Sequence, residues 1–189
     1  MGVGDAQVFG QLAYVNLQLD QAASAVAGYQ YALFLEPENE QWRQGLLYAL
    51  LNSHAFDQAQ ALLEEMLANN MNNNLLWLQR GKLALKQNRL IQAISSLEMA
   101  LQLGEKGLEN LTTTVQLHIQ AGSPRRAIKI LEENMQLFLN NKMVNSIAMV
   151  DQISAWLVYQ QDWQQLKSLL TAVDNNRAEL AGNIQAKFD

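Results

Sequence analysis

Ala93-Ile94-Ser95-Ser96-Leu97-Glu98-Met99-Ala100 sets a small residue, a bulky apolar one four places on, and a second small one three beyond that. At helical spacing these three positions share one stripe. The same pattern recurs on either side at intervals of 34 residues: Ala25, Ala59 and Ala127 match Ala93, and Tyr29, Leu63 and Leu131 match Leu97. Ala32 and Met66 continue the third position, which lapses at Asn134. Self-similarity at a fixed period of this length points to stacked supersecondary units, two helices to a unit.

The physical logic is that one helix hairpin cannot bury its own apolar face. Hairpins therefore stack and share a continuous core. Small alanines let neighbouring helices approach closely, and the bulky residue one turn later fills the gap that remains. Helix-start signals fall in the same register. Asn39 and Asn73 or Asn74 stand where first helices need an N-cap, and Asp57 and Ser123 precede second helices. Ser123-Pro124 is a cap followed by proline at the first helical position, where no backbone donor is needed. Composition agrees: prolines occur only at Pro37 and Pro124, and Ala, Leu, Gln and Glu favour helix throughout. Glutamine and asparagine are abundant but alternate with Leu and Ala rather than forming tracts.

The residue types resemble the tetratricopeptide repeat over about residues 6–141. The fullest match is Trp77-Leu78-Gln79-Arg80-Gly81 with Ala84, Ala93, Leu97 and Ala100. Leu35-Glu36-Pro37 is similar to the family's closing Leu-x-Pro, and Gly122 stands at the turn inside the fourth repeat. Arg80 replaces the usual leucine, and only one repeat ends in proline. The resemblance implies an all-α, right-handed α-solenoid of stacked antiparallel helix hairpins, with repeats 6–39, 40–73, 74–107 and 108–141. Beyond 141 the register slips, since Trp163 stands five residues late for a second-helix entry. Residues 142–175 read as a divergent hairpin, Val144–Gln160 with Trp163–Val173. Residues 176–189 read as a capping helix with Leu180, Ile184 and Phe188 on one stripe.

The resemblance also implies where ligands sit: on the concave surface made by the first helices. There it places Tyr14, Tyr48, Lys82 and Gln116 in one row and Leu17, Leu51, Leu85 and Ile119 in the next, with Leu75 and Leu78 adding to the patch. Gln18, Gln41, Gln44 and Asn52 surround it. Two readings of the aliphatic row stand side by side: partial burial by helix curvature, or a greasy groove for an amphipathic helix or extended apolar segment. Family members that bind chaperones grip a carboxylate with lysines, asparagines and an arginine on this face. Here the matching positions carry mostly Gln, Tyr, Thr and Leu, with only Lys82 and Lys86 basic, so no such clamp is expected.

Catalysis is not expected. The two histidines, His54 and His118, lie in different repeats, and position 118 falls on an inter-helix packing face. No metalloprotease, phosphate-loop or nucleophile-elbow motif occurs. Glu64-Glu65 and Glu132-Glu133 read as solvated faces, and Arg125-Arg126 with Lys129 as a small basic surface. No cofactor is expected, and the absence of cysteine removes thiolate metal sites. A net charge of −5 argues against general nucleic-acid binding. No stretch has the apolar length of a membrane span.

The expected function is a non-catalytic scaffold or adaptor that holds a protein or peptide partner in the groove, in a bacterial assembly or secretion system. Two alternatives are an export chaperone resembling the tetratricopeptide chaperones of type III secretion, and the repeat portion of an envelope polysaccharide-export or pilus-assembly protein. Met1-Gly2-Val3-Gly4-Asp5 has no signal-peptide character and runs at once into a helical pattern. The expectation is therefore a segment of a longer protein, cytoplasmic or periplasmic, with self-association through the solenoid ends as a further option.

Overall fold

The computed structural model describes the backbone of residues 4–140 and 144–185, with side chains over 6–138 and 150–175. The helices follow in order as α1 (Gly4–Gln18) and α2 (Ala22–Leu35), α3 (Glu40–Asn52) and α4 (Phe56–Asn69), α5 (Asn74–Lys86) and α6 (Leu90–Gln102), and α7 (Leu108–Gln120) and α8 (Pro124–Glu133), with α1 packed on α2, α3 on α4 and α7 on α8. After α8 come α9 (Met135–Asn140), α10 (Val144–Tyr159) and α11 (Trp163–Gln185). Second helices begin at Ala22, Phe56, Leu90 and Pro124, 34 residues apart each time. Among the described residues there is no strand.

The interval holds because each turn within a hairpin has the same construction. Asp20, His54, Asn88 and Gly122 occupy the left-handed region, with φ of 58°, 59°, 57° and 70°. The residue after each donates its N–H back across the turn: Gln21 to Asn16 O at 2.9 Å, Ala55 to Leu50 O at 3.0 Å, Arg89 to Ala84 O and Ser123 to His118 O, both at 2.8 Å. This is the Schellman arrangement, which satisfies carbonyls orphaned at a helix end and reverses the chain in three residues. Glycine is the residue usually found at its left-handed position, yet only Gly122 among these four is one. The last hairpin repeats the device at Gln161 (φ 56°), with Asp162 donating to Leu157 O at 3.0 Å. That turn lies five residues later than the repeat interval would place it, because α10 both starts later than the interval and is longer than α3, α5 and α7.

Caps divide in a way the sequence only half shows. The Asn39 side chain accepts from the N–H groups of Gln41 and Trp42, at 3.0 and 3.3 Å. Asn73 accepts likewise from Leu75 and Leu76. α2, α4 and α8 start without a side-chain cap: Ala55, not Asp57, is the N-cap of α4, and Ser123 stands at the N-cap of α8 without making the bond, whereas Asp162 caps α11 by accepting from the Gln165 N–H at 3.2 Å. Asp57 lies in the first turn, where its charge complements the helix dipole.

The chain divides into two compact units, residues 1–96 and 97–189. In the first, α1 packs on α2, α2 on α3, α3 on α4 and α4 on α5. Its core gathers Ala25, Tyr29, Ala32, Trp42, Leu47, Ala59, Leu63 and Met66. In the second, Leu111, Val115, Ala127, Leu131, Phe138, Ile153, Leu157 and Leu169 form the core between α7 and α11. Ala25, Ala59, Ala93 and Ala127 are all fully buried.

At the end of the chain the lapse at Asn134 has a structural cause, and one expected boundary needs correction. The lapse at Asn134 is a break in the helix: its amide Nδ2 donates to Ile130 O at 2.9 Å, its own N–H turns to Leu131 O, and α9 starts afresh at Met135. A side chain competing with the backbone in this way interrupts helices. The boundary expected between residues 173 and 176 is absent, since α11 runs unbroken from Trp163 to Gln185. Asp174, Asn175 and Asn176 are weak helix formers, but neither Gly nor Pro stands there to end the helix. The stripe Leu180, Ile184 and Phe188 lies outside the described side chains.

Two substitutions test these contacts. Ala93→Leu, at a fully buried close approach, is expected to cost about 1–3 kcal/mol through overpacking, read as a lower urea midpoint. Gln161→Gly relieves a left-handed residue that is exposed to solvent. After allowance for glycine's extra chain entropy it is expected to stabilise the fold by about 0.5–1 kcal/mol.

Candidate functional site

A cleft of about 550 Å³ opens in the first unit, walled by α1 and α3. From α1 come Gln11, Tyr14, Leu17 and Gln18, and from α3 come Gln41, Gln44, Tyr48 and Asn52. On each helix these residues recur at three- and four-residue spacing, so they form one face. Tyr14 and Tyr48 are 57% and 49% exposed.

The base of the cleft is aromatic. Tyr29 from α2 and Trp42 from α3 meet with ring centroids 6.4 Å apart, tilted by 37°, and both rings are buried. Two glycines admit them. A Cβ on Gly10 would fall 2.5 Å from Trp42 Cη2, and one on Gly45 would fall 2.9 Å from Tyr29 Oη. Here glycine serves close approach rather than turning, and any side chain would push a ring out of place. The Trp42 indole is oriented by Nε1 donating to Glu36 Oε2 at 3.0 Å, and the same oxygen accepts from Asn39 Nδ2 at 2.8 Å. Glu36 thus ties the cap of α3 to the aromatic base.

No lysine, arginine, aspartate, glutamate or histidine lines this cleft. Its polar groups are five side-chain amides and the tyrosine hydroxyls, each able to bond neutral donors or acceptors. The Tyr29 phenol titrates above its ordinary range, first because burial disfavours the phenolate and second because ionised Tyr14 would repel it.

Of the residues expected at a groove, Tyr14, Leu17 and Tyr48 line the cleft, with Gln18, Gln41, Gln44 and Asn52 around them. Leu51 does not line it: half-buried, it packs on the first core, as Leu17 also does in part. Leu75 is exposed at the start of α5, while Leu78, Lys82 and Leu85 are half-buried, and none of the four lines the cleft. Gln116 is exposed and Ile119 packs on the core of the second unit. The aliphatic row is therefore half-buried at all four positions. Tyr29, Trp42 and Gln11 escaped the sequence reading, although Gly10 and Gly45, isolated inside helical patterns, signalled a close approach.

The remaining candidates are engaged structurally. His118 is buried, with Nε2 3.1 Å from Glu98 Oε1, which also accepts from Arg126 Nε at 2.5 Å. Arg125 reaches Asp162 at 3.7 Å and Lys129 reaches Glu133 at 3.8 Å, so each member of the expected basic surface has an acidic partner. His54 serves as the left-handed turn residue and meets Phe56 edge-on at 5.5 Å. Among the described residues no group of three or more His, Asp or Glu is placed to hold a metal ion. No described helix is long and apolar enough to cross a membrane.

No family model matches the chain, and no curated protein matches it by sequence. Solved structures do resemble it. A tetratricopeptide repeat protein from Parabacteroides merdae superposes with a TM-score of 0.69 at 15% identity, covering 98% of this chain and 79% of that one. A crystal structure of MamA gives 0.68 at 12% identity over 94% of both chains. A MamA structure from Desulfovibrio magneticus RS-1, residue 41 to the end, gives 0.64 at 16% identity over 75% of this chain and 80% of that one. At such identities the likeness establishes the fold, which is all-α and of the tetratricopeptide-repeat kind.

The raised Tyr29 pKa has a consequence for stability. Its contribution is fully present below the unfolded phenol pKa of about 10 and is lost as pH rises from there through the folded value. The urea midpoint of the wild-type chain should fall across this alkaline range, and Tyr29→Phe should flatten the fall.

Proposed function

We propose that the chain is a non-catalytic interaction scaffold whose cleft between α1 and α3 binds an uncharged segment of a partner protein. The observation that carries this reading is the cleft lining, with two exposed tyrosines over an aromatic base and amides in place of charges. Tyrosine gives contact area and a hydroxyl at low entropic cost. Glutamine and asparagine amides can bond the peptide groups of an extended chain, or the free carbonyls at a helix end. An acidic, basic or phosphorylated segment would find no opposite charge there, and burying its charge would be unfavourable.

The aliphatic row supports the groove less than expected, because Leu17 and Leu51 lend part of their surface to the core. We place the weight on Tyr14 and Tyr48 instead. The division into four repeats over 6–141, with a divergent end beyond, belongs to this reading, as does the setting in a bacterial assembly or secretion system.

A displayed library of random peptides, selected on the wild-type chain, tests the proposal. Selected peptides should be uncharged with apolar anchors. Tyr14→Ala combined with Tyr48→Ala should weaken them by about 2–4 kcal/mol, as loss of hot-spot tyrosines does. Arg125→Ala with Arg126→Ala should leave affinity nearly unchanged. Equal binding by the tyrosine variant, or selection of charged peptides alone, would remove the cleft as the site.

A further inference from the structure

The amides that line the cleft between α1 and α3 keep their hydrogen-bonding capacity unspent. Gln11, Gln18, Gln41, Gln44 and Asn52 are all exposed, and among the described residues none of these side chains makes a hydrogen bond within the chain. Each amide carries two N–H donors and a carbonyl acceptor. Tyr14 and Tyr48 stand with them, their rings about half exposed. Tyr48 is open although α1 packs beside α3, so this face stays accessible even where another hairpin precedes it.

We infer that the cleft takes a proline-rich segment of a partner protein in the polyproline II conformation. The inference rests on the binding role proposed above and names the occupant of that cleft. Hydrogen-bonding capacity separates the candidate occupants. A helix has already bonded its own backbone, so seating one here would strip water from the amides and give them little in return. An extended strand asks for a row of unpaired backbone groups along its edge, which the interiors of α1 and α3 do not offer. Polyproline II has no internal hydrogen bonds and proline has no N–H, so such a segment presents carbonyl acceptors on every side and asks for donors alone. Amides on both walls and the tyrosine hydroxyls are such donors. Proline rings dock on aromatic side chains, and the stiffness of the segment leaves little entropy to lose on binding. Charge agrees, since a run of prolines brings no ionic group into a cleft lined by none. So does length: the lining of α3 from Gln41 to Asn52 spans about 16 Å of helix. At about 3.1 Å per residue, about five prolines fill it.

Titration calorimetry of the 189-residue chain with three uncharged probes tests this. The probes are hexaproline blocked at both ends, a blocked proline-free hexapeptide of leucine, serine and glutamine, and maltohexaose. Hexaproline should bind at least about 10-fold more tightly than either of the others. Tyr14→Ala with Tyr48→Ala should weaken it at least about 10-fold. Gln11→Met with Gln44→Met, which removes donors and keeps side-chain length, should weaken it at least about 5-fold. If the alanine variant loses helicity, Tyr14→Leu with Tyr48→Leu gives the same reading. Hexaproline that fails to bind, or binds no better than the proline-free peptide, would overturn the inference. Tyrosine-dependent binding of the proline-free peptide would then keep the cleft as a protein-binding site, whereas no binding by either peptide would count against that role too. Binding of maltohexaose alone would overturn both in favour of a neutral saccharide. Hexaproline binding that survives the tyrosine and glutamine variants would overturn the inference as well.

Discussion

Helix pairs in this chain approach each other at alanine, and the rest of the architecture depends on that approach. Ala25, Ala59, Ala93 and Ala127 have no accessible surface at all. A larger side chain at any of them would hold two helices apart and leave voids around Tyr29, Leu63, Leu97 or Leu131, one turn away on the same stripe. Interiors at crystal-like density tolerate such gaps poorly. Once the approach is fixed, the helix faces beside it are fixed too, including the face of α1 and α3 that opens into the cleft.

The turns supply the second constraint. Each hairpin reverses through one left-handed residue, and the bond that closes the turn spans five residues from the same helical position every time. Asp20, His54 and Asn88 accept that conformation although they carry a side chain. The connection length cannot vary without losing the bond, so the alanines stay in register and the period survives a sequence that otherwise diverges from repeat to repeat. Where the device recurs at Gln161 the period has already slipped. The turn geometry is therefore separable from the repeat length.

The cleft arises where the first two hairpins depart from the common pattern. Gly10 and Gly45 withdraw their side chains, Trp42 and Tyr29 move into the space, and Glu36 fixes the indole from the preceding loop. The departure is local to the first unit. At the position of Trp42, Leu76 and Asn110 stand in the later repeats, and neither can form the same base. Gln11, Gln18, Gln41, Gln44 and Asn52 then line an aromatic base with neutral amides. In the second unit the polar side chains are used differently: Glu98 accepts from Arg126 and lies against His118, linking α6, α7 and α8.

The sequence by itself determined the helix pairs, their 34-residue interval and the cap at Asn39, and it narrowed the next cap to Asn73 or Asn74, of which the structure uses Asn73. Each of these depends on residues within one or two turns of each other, and a one-dimensional pattern records such local choices. The family resemblance placed Tyr14, Tyr48 and the surrounding amides on one face, and these are residues that line the cleft. Only the tertiary structure decided that Leu51 and Leu85 are half-buried outside the cleft, and that Tyr29 and Trp42 form its base. Those outcomes depend on which helix lies over which residue. Identical register positions, Val8 and Trp42 among them, have opposite burial because α2 covers one and no described helix covers the other.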